Sequence, residues 1–523
     1  MKNFIITLLL LCVSVIAYAE DYFVACYYYD TVTNENSSNP SLMEPSKIYI
    51  GASSNYYWAL GGKGSDKLTL HGNIKDGFFV EKIYTRSDII KSCERAIEKG
   101  VVLWPSKKSY KLYDFKASRS NFHAYEYPIR FIKDNFKKSK IKQIIVFGDS
   151  LSDTGNLKRW TKVIPYYPYW YGRFSNGFIW PDYLSNTTQI PIFNFAYGGA
   201  KTAGSNEILI DNFSDKVDTK VAKLISGSSK LAIADYLNNY LTVNSYKSKT
   251  KAIYKPKEAL YIIWIGSNDY VADFEFRKIT NLLLKDKESE KKINIIIKNT
   301  VRNIMKQIKT LYLKDAYYFL VMNIPDIGKS PAVLSAKYAK YNDEIKDKQE
   351  LSEKLSAITN KHNIELQSAI DALNKKLKDK INIFYLDIAR NFDSYINNKD
   401  FYADENFNYG YSLLNSNIPV IGKKETFIQS SCYTGGYTKV AIINSLSNES
   451  YYKKSLEHTC KNNHKEVDKN TIFWDSPHPT SLSHCWLSYA VQKKLEDLEL
   501  IKKTNLSMSD YKEFCLNKDF ILE

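Results

Sequence analysis

The clearest pattern in the chain is a series of five short apolar runs, each followed by small polar residues. Runs of this length, rich in β-branched residues, are typical of strands buried on both faces of a parallel sheet. Amphipathic stretches with helical spacing separate them. This alternation predicts an α/β fold with a three-layer, doubly wound parallel sheet. The predicted strands are Ile144–Phe147, Ile190–Phe195, Leu260–Ile265, Tyr317–Met322 and Ile381–Leu386.

The region before this pattern, from residue 21 to about 135, has a different character. Short Tyr-rich runs alternate with turns of Asn, Ser, Gly and Lys, which predicts short antiparallel strands, and one helix is expected over Ser87–Lys99. We therefore predict a β-rich accessory domain over 20–138 and a large α/β domain over 139–523, with a cysteine-bearing insertion near 390–470. The expected strands of the accessory domain are Tyr22–Tyr29, Lys47–Gly51, Tyr56–Leu60 and Gly77–Tyr84.

The first residues have the pattern of a secretory signal peptide. Lys2 precedes an apolar run over Phe4–Ile16, and Ala17-Tyr18-Ala19 is a suitable cleavage site. We expect residues 1–19 to be removed and the protein to be secreted. A lipoprotein signal at Cys12 is the alternative, although Leu11 is bulky for the position before such a cysteine.

Six of the seven cysteines would remain after this cleavage. An even number in an exported protein favours disulfides over metal ligands. Pairing of neighbours along the chain would brace both ends, but other connectivities stay open. Zinc binding by Cys460, His458 and His464 is a weaker alternative. The expected pairs are Cys26 with Cys93, Cys432 with Cys460, and Cys485 with Cys515.

The turn after the first predicted strand carries a candidate nucleophile. Gly148 ends the strand and Ser150 follows it, where the carboxyl edge of an α/β sheet would present a hydroxyl group. Ser150 could equally cap a helix. The turns after the next two strands contain Gly199 and Asn268. Together with the Ser150 N–H, the Gly199 N–H and the Asn268 amide would provide three donors for an oxyanion.

A candidate base lies just before the last predicted helix. His478 would take the proton of the serine, and Asp475 would hold the second ring nitrogen. His478 could instead be a surface histidine that caps the helix. The aromatic stretch Tyr166–Tyr171 is a candidate wall for an acyl-chain pocket, with ordinary packing as its alternative.

These residues lie in five sequence blocks, which resemble those of the GDSL lipases, also called SGNH hydrolases. Ser150, Gly199, Asn268 and His478 match the four residues that name the family. The resemblance implies ester hydrolysis on a flavodoxin-like sheet, without metal or organic cofactor. The blocks are FGDSLSDTGN at Phe147–Asn156, RFSNG at Arg173–Gly177, NFAYGGA at Asn194–Ala200, GSND at Gly266–Asp269 and WDSPHPT at Trp474–Thr480.

The accessory domain makes the chain similar to the branch of thermolabile haemolysins and glycerophospholipid–cholesterol acyltransferases. This branch implies phospholipase A or lysophospholipase activity at a membrane surface, with cholesterol as a further acyl acceptor. A carbohydrate or short-chain carboxylesterase is the first alternative. A membrane-binding haemolysin with a vestigial hydrolase domain is the second.

The net charge of +16, which includes Lys2, agrees with an anionic lipid partner. Nucleic acid is not expected as a partner, because basic and acidic residues are interspersed along helical stretches such as Lys337–Lys380.

Overall fold

The computed structural model describes most of the two regions predicted above. Within the part that it describes, no helix is both long and apolar enough to cross a membrane. The described residues are 21–30, 56–62, 66–75, 77–103, 110–119, 127–133, 139–161, 164–165, 169–204, 228–237, 256–271, 287–334, 348–397, 431, 433, 437, 472–504 and 506–517.

The amino-terminal region forms a six-stranded sheet with the order β2-β1-β5-β6-β4-β3. All neighbours are antiparallel except β4 and β6. The sequence pattern does not predict three of the strands: β3 has only four residues, and charged residues interrupt the apolar pattern of β5 and β6. The predicted strand Lys47–Gly51 lies outside the described residues. The elements are β1 Tyr22–Asp30, β2 Tyr56–Trp58, β3 Gly72–Lys75, β4 Phe78–Glu81, α1 Arg86–Leu103, β5 Tyr110–Arg119 and β6 Tyr127–Phe131.

The second sheet has five parallel strands in the order β11-β10-β9-β7-β8. All five predicted runs form its strands, and the order 2-1-3-4-5 along the chain is that of a flavodoxin-like sheet. The predicted fold class is therefore confirmed. The strands are β7 Gln143–Gly148, β8 Ile192–Asn194, β9 Ala259–Trp264, β10 Tyr318–Met322 and β11 Asn382–Leu386.

Helices cover both faces of this sheet. Successive side chains of a strand point to opposite sides, so apolar strands expose hydrophobic side chains on both faces that must be buried. Ile144 and Val146 lie in a hydrophobic core with Trp180 and Val491 on one face of the sheet. Ile145 lies in a second core, which the helices on the other face cover. The helices are α2 Asn156–Thr161, α3 Trp180–Thr188, α4 Ser229–Asp235, α5 Asn268–Val271, α6 Lys287–Tyr312, α7 Pro331–Leu334, α8 Lys348–Lys376, α9 Ile388–Asn397, α10 Ser481–Asp497 and α11 Met508–Asn517.

One helix differs from its prediction. The sequence indicates an amphipathic final helix with Leu482, Trp486, Tyr489 and Ala490 on its buried face. In the structure Tyr489 and Ala490 are only half-buried, while several polar side chains of α10, including Ser488 and Gln492, are buried. This happens because α10 packs against α3 on one side and α11 on another.

Two of the predicted disulfides are present. Cys26 of β1 is bonded to Cys93 of α1, with their Cα atoms 5.7 Å apart. Cys485 of α10 is bonded to Cys515 of α11, with a Cα separation of 5.6 Å. The third predicted pair, Cys432 with Cys460, lies outside the described residues, as does the zinc alternative.

The two sheets pack directly against each other. The ring of Tyr113 in β5 contacts the rings of Trp170 and Phe178, with centroid separations of 5.4 and 5.3 Å. At another point Arg130 of β6 forms an ion pair of 3.0 Å with Glu258, just before β9. The division into domains at residue 138 stays a prediction.

Candidate active site

Ser150 lies where the sequence analysis expects it, two residues after the end of β7. The strand ends at Gly148, where a Cβ atom would approach the Trp264 carbonyl oxygen of β9 to 2.8 Å. Only glycine therefore permits this close approach of two strand ends. The Ser150 side chain is 8% exposed, so it is nearly enclosed by the surrounding turns.

The structure brings His478 onto this serine. Nε2 of His478 lies 2.7 Å from Oγ of Ser150. On the other side of the ring, Nδ1 lies 2.8 and 2.7 Å from the two carboxylate oxygens of Asp475. The three residues thus form one continuous chain of hydrogen bonds, which is the arrangement that activates a serine nucleophile.

The turn that carries His478 is held by its own backbone. The His478 N–H donates to Oδ1 of Asp475 at 2.8 Å, and the Trp474 N–H donates to the His478 carbonyl at 2.7 Å. The side chain of Thr480 then caps the start of α10. The short, internally bonded turn fixes the imidazole between Asp475 and Ser150.

Gly199 and Asn268 come from the turns after the two neighbouring strands. The Tyr197 N–H donates to the Gly148 carbonyl at 3.2 Å, which holds the Gly199 turn against the end of β7. Gly199 has a φ of 72°, a conformation that favours glycine. The Asn268 side-chain amide donates to the Ala200 carbonyl at 3.0 Å. The carboxyl ends of three adjacent strands thus bring the proposed oxyanion donors to one edge.

Two further side chains hold the Gly199 turn, and neither is among the predicted site residues. Asp269 accepts from the Thr202 backbone N–H and hydroxyl at 2.9 and 2.6 Å. Asp153 accepts from the Gly198 N–H at 2.8 Å. Both lie inside the sequence blocks given above, but nothing in a single sequence distinguishes a bracing carboxylate from a solvated one.

The carboxyl groups next to Ser150 are unusual in their electrostatics. Asp149 is 2% exposed, and burial raises its pKa to about 7, although the Leu151 N–H opposes this effect. Burial also raises the pKa of Asp153, against four backbone N–H donors that favour its charged form. Perturbed carboxyl groups of this kind are common at functional sites.

The aromatic stretch contributes differently from the prediction. Tyr169 is buried and its hydroxyl donates to Oδ2 of Asp475 at 2.6 Å. Phe174, which follows this stretch, has its ring 5.0 Å from the imidazole of His478. Tyr166, Tyr167 and Pro168 lie outside the described residues, so the acyl-chain pocket stays a prediction.

Several known proteins share parts of this sequence. The thermolabile hemolysin of Vibrio parahaemolyticus is 30% identical over 136 residues, 25% of this chain and 26% of that protein. The phosphatidylcholine-sterol acyltransferase of Aeromonas hydrophila is 29% identical over 200 residues, 37% of this chain and 48% of that one. A secreted effector protein of Salmonella typhimurium is 27% identical over 248 residues, 46% of each. The chain thus spans between about a quarter and a half of these relatives.

The family assignment rests on a longer match. The model of the GDSL-like lipases and acylhydrolases matches residues 144–491, from the strand before Ser150 to within α10. The match includes every residue of the hydrogen-bonded chain and the turns that carry Gly199 and Asn268. This chain therefore belongs to the GDSL-like lipase/acylhydrolase family of hydrolases.

Proposed function

We propose that this protein is a secreted serine ester hydrolase that acts on phospholipids, as a phospholipase A or lysophospholipase. The observation that carries the proposal is the continuous hydrogen-bonded chain from Ser150 through His478 to Asp475. In this proposal Ser150 is the nucleophile, His478 the general base and Asp475 the residue that orients the imidazole.

The geometry supports a two-step reaction. Oγ of Ser150 bonds to the ester carbonyl carbon while Nε2 of His478 takes its proton. The resulting oxyanion accepts hydrogen bonds from the Ser150 N–H, the Gly199 N–H and the Asn268 amide. The bond to the leaving alcohol then breaks, and the imidazolium protonates that alcohol. Water repeats the sequence on the acyl-enzyme and regenerates Ser150.

The net charge of the chain and the names of two relatives favour a phospholipid over other esters. The net charge of +16 would attract the chain to anionic head groups. One relative is named a hemolysin and another a phosphatidylcholine-sterol acyltransferase. A sterol hydroxyl that replaces water in the second step would give acyl transfer, so this activity is part of the proposal.

Secretion is the remaining part. It is supported by the apolar leader, by the two disulfides, which persist in oxidising compartments, and by the secreted effector among the relatives. Mass spectrometry of the protein exported by a bacterial host would check it, with a new amino terminus at Glu20 as the expected result.

The test of the activity is Ser150→Ala. Purified wild-type protein should release fatty acid from vesicles of lysophosphatidylcholine or phosphatidylglycerol, and the variant should lose at least about 10³-fold of this rate. Ser185→Ala, which removes a hydroxyl group from α3, is the matched control and should retain full activity.

Added cholesterol distinguishes the two acceptors, because cholesteryl ester would form only if the sterol attacks the acyl-enzyme. Full activity of Ser150→Ala would refute the proposal. A profile on p-nitrophenyl esters with its maximum at acetate, without phospholipid turnover, would favour the short-chain esterase. Haemolysis that survives in His478→Ala would favour the vestigial enzyme.

A further inference from the structure

Asp475 has more hydrogen-bond partners than the proposed mechanism uses. Its Oδ1 accepts the His478 backbone N–H at 2.8 Å, and its Oδ2 accepts the Tyr169 hydroxyl at 2.6 Å. The imidazole Nδ1 lies within 2.8 Å of both oxygens. Each carboxylate oxygen therefore has one donor besides the ring, and the donor on Oδ2 is a side chain 306 positions away in the sequence.

Tyr169 is held firmly enough to direct this carboxylate. Its side chain is 1% exposed. Its ring packs against Phe174 at 6.0 Å, Tyr433 at 5.6 Å and Tyr437 at 5.4 Å, so it can hardly turn away from Asp475. Burial and the neighbouring carboxylate raise the pKa of Tyr169 well above its usual value. The phenol thus stays protonated and remains a donor.

A hydrogen bond to a carboxylate has two consequences. It fixes the direction of the carboxyl plane, and it stabilises the charged form, so that the group binds a proton less readily. Both effects would influence the imidazole, because His478 Nδ1 is hydrogen-bonded to the same two oxygens. A tyrosine that only filled space in the core would have neither effect.

We propose that Tyr169 is a positioning residue of the Ser150–His478–Asp475 triad, whose phenol orients the Asp475 carboxylate and stabilises its negative charge. This inference rests on the proposed function. It deepens that function by adding to the site a residue that acts through Asp475.

The test is the pH dependence of Tyr169→Phe, which keeps the ring and removes the donor. The probe is p-nitrophenyl butyrate, and the rate at which a fluorophosphonate labels Ser150 gives a second reading of the same site. We expect kcat/KM on the plateau to fall about ten-fold. The acidic limb of the profile should move to higher pH by about half a unit or more, because Asp475 loses a donor to its negative charge. Asp149 and His484, which also act electrostatically on His478, are the same in both proteins.

The matched control is Tyr511→Phe. Tyr511 is also a buried tyrosine, and its hydroxyl donates to Ser488 at 3.1 Å on α10, without contact to the triad. This variant should leave the position of the acidic limb unchanged. A shift in Tyr511→Phe, or a lowered rate in Tyr169→Phe with an unmoved limb, would show that loss of packing is responsible and would overturn the inference.

A second variant keeps the packing intact should Tyr169→Phe fail to fold. 3-Fluorotyrosine incorporated at Tyr169 has a more acidic phenol and donates a stronger hydrogen bond, so the acidic limb should move to lower pH. No movement, or movement to higher pH, would overturn the inference. If instead Ser150→Ala retains activity, the proposed function fails. If Ser150→Ala is inactive and neither Tyr169 variant moves the limb, only the role of Tyr169 fails.

Discussion

Among the single residues, Asp153 shows how one buried carboxylate can hold two distant segments together. Its Oδ1 accepts the N–H groups of Gly155 and Asn156 at 2.8 and 2.5 Å. Its Oδ2 accepts those of Leu157 and Gly198 at 3.1 and 2.8 Å. The first three follow Ser150, and the fourth is next to Gly199. The carboxyl group of Asp153 therefore links the turn of Ser150 to that of a proposed oxyanion donor.

Asp153→Asn should disturb this link, because an amide presents its own N–H groups to backbone N–H groups. We expect kcat on p-nitrophenyl butyrate to fall by about 10²-fold, with a smaller change in KM. The control is Asp326→Asn, since Asp326 also accepts a backbone N–H, from Gly328 at 3.0 Å, but lies in the turn after β10 and not in the turn after β7. An unchanged kcat in Asp153→Asn would contradict the bracing role.

Among the elements, strand β5 contains a β-bulge that decides which of its side chains face each core. The register against β1 shifts between Tyr27 and Tyr28, which pair with Asp114 and Leu112, so Tyr113 is an extra residue in its strand. A bulge of this kind re-aims a side chain. Leu112 and Phe115 therefore face the core of the amino-terminal sheet, whereas Tyr113 joins the core of the parallel sheet.

Helix α10 contains a buried titratable side chain that the proposed mechanism does not use. His484 is 0% exposed, and burial lowers its pKa to about 3, with a smaller effect from nearby His478. In the unfolded chain a histidine titrates near its usual pKa of about 6.5. Between these values unfolding takes up a proton, so the contribution of His484 to stability is complete above pH 6.5 and is lost as the pH falls towards 3.

His484 therefore contributes a decrease in the free energy of unfolding on acidification below pH 6.5, whereas buried Asp149, with its raised pKa, contributes in the opposite direction. The His484 side chain contributes a slope of up to about 1.4 kcal/mol per pH unit. His484→Leu should make the decrease shallower in urea unfolding measured between pH 4 and 7. His71→Gln, at an exposed histidine, is the control and should leave the slope unchanged. An equal slope in His484→Leu and the wild type would disprove this account.

Across the protein as a whole, the amino-terminal sheet supports the segment that holds the His478 turn. The ring of Tyr113 contacts Trp170 and Phe178, on either side of the block Arg173–Gly177. From that block, Ser175 donates its hydroxyl to the Pro479 carbonyl at 2.9 Å. A continuous path of contacts thus runs from β5 to the residue after His478.

Tyr113→Ala should weaken this support. We expect a loss of about 3–5 kcal/mol of stability from the cavity and a several-fold decrease in kcat. Phe115→Ala, in the same strand but facing the core of its own sheet, should cost similar stability with little change in kcat. Thermal unfolding and p-nitrophenyl butyrate kinetics measure both effects. Equal decreases in kcat would argue against the path of contacts.

The amino-acid sequence was sufficient for the architecture and for the positions of the proposed nucleophile, base and oxyanion donors. Strands that are buried on both faces can be recognised as apolar runs, because the burial of a polar side chain without a partner is unfavourable. The polar residues that follow such runs meet at one edge, because parallel strands all end there. Ser150, Gly199 and Asn268 could therefore be placed without coordinates, from local patterns and one topological rule.

Other features were decided only when the chain had folded. The strands β5 and β6 have no clear apolar period, and their pairing partners stabilise them. The bulge at Tyr113, the burial of His484 inside α10 and the hydrogen bond from Tyr169 to Asp475 involve side chains that meet through packing. Their contacts join residues far apart in the chain, and the identity of a residue does not reveal which distant group will come within 3 Å of it. Local periodicity thus specified the sheet and the edge that carries the proposed site, whereas the environment of each polar group depended on three-dimensional packing.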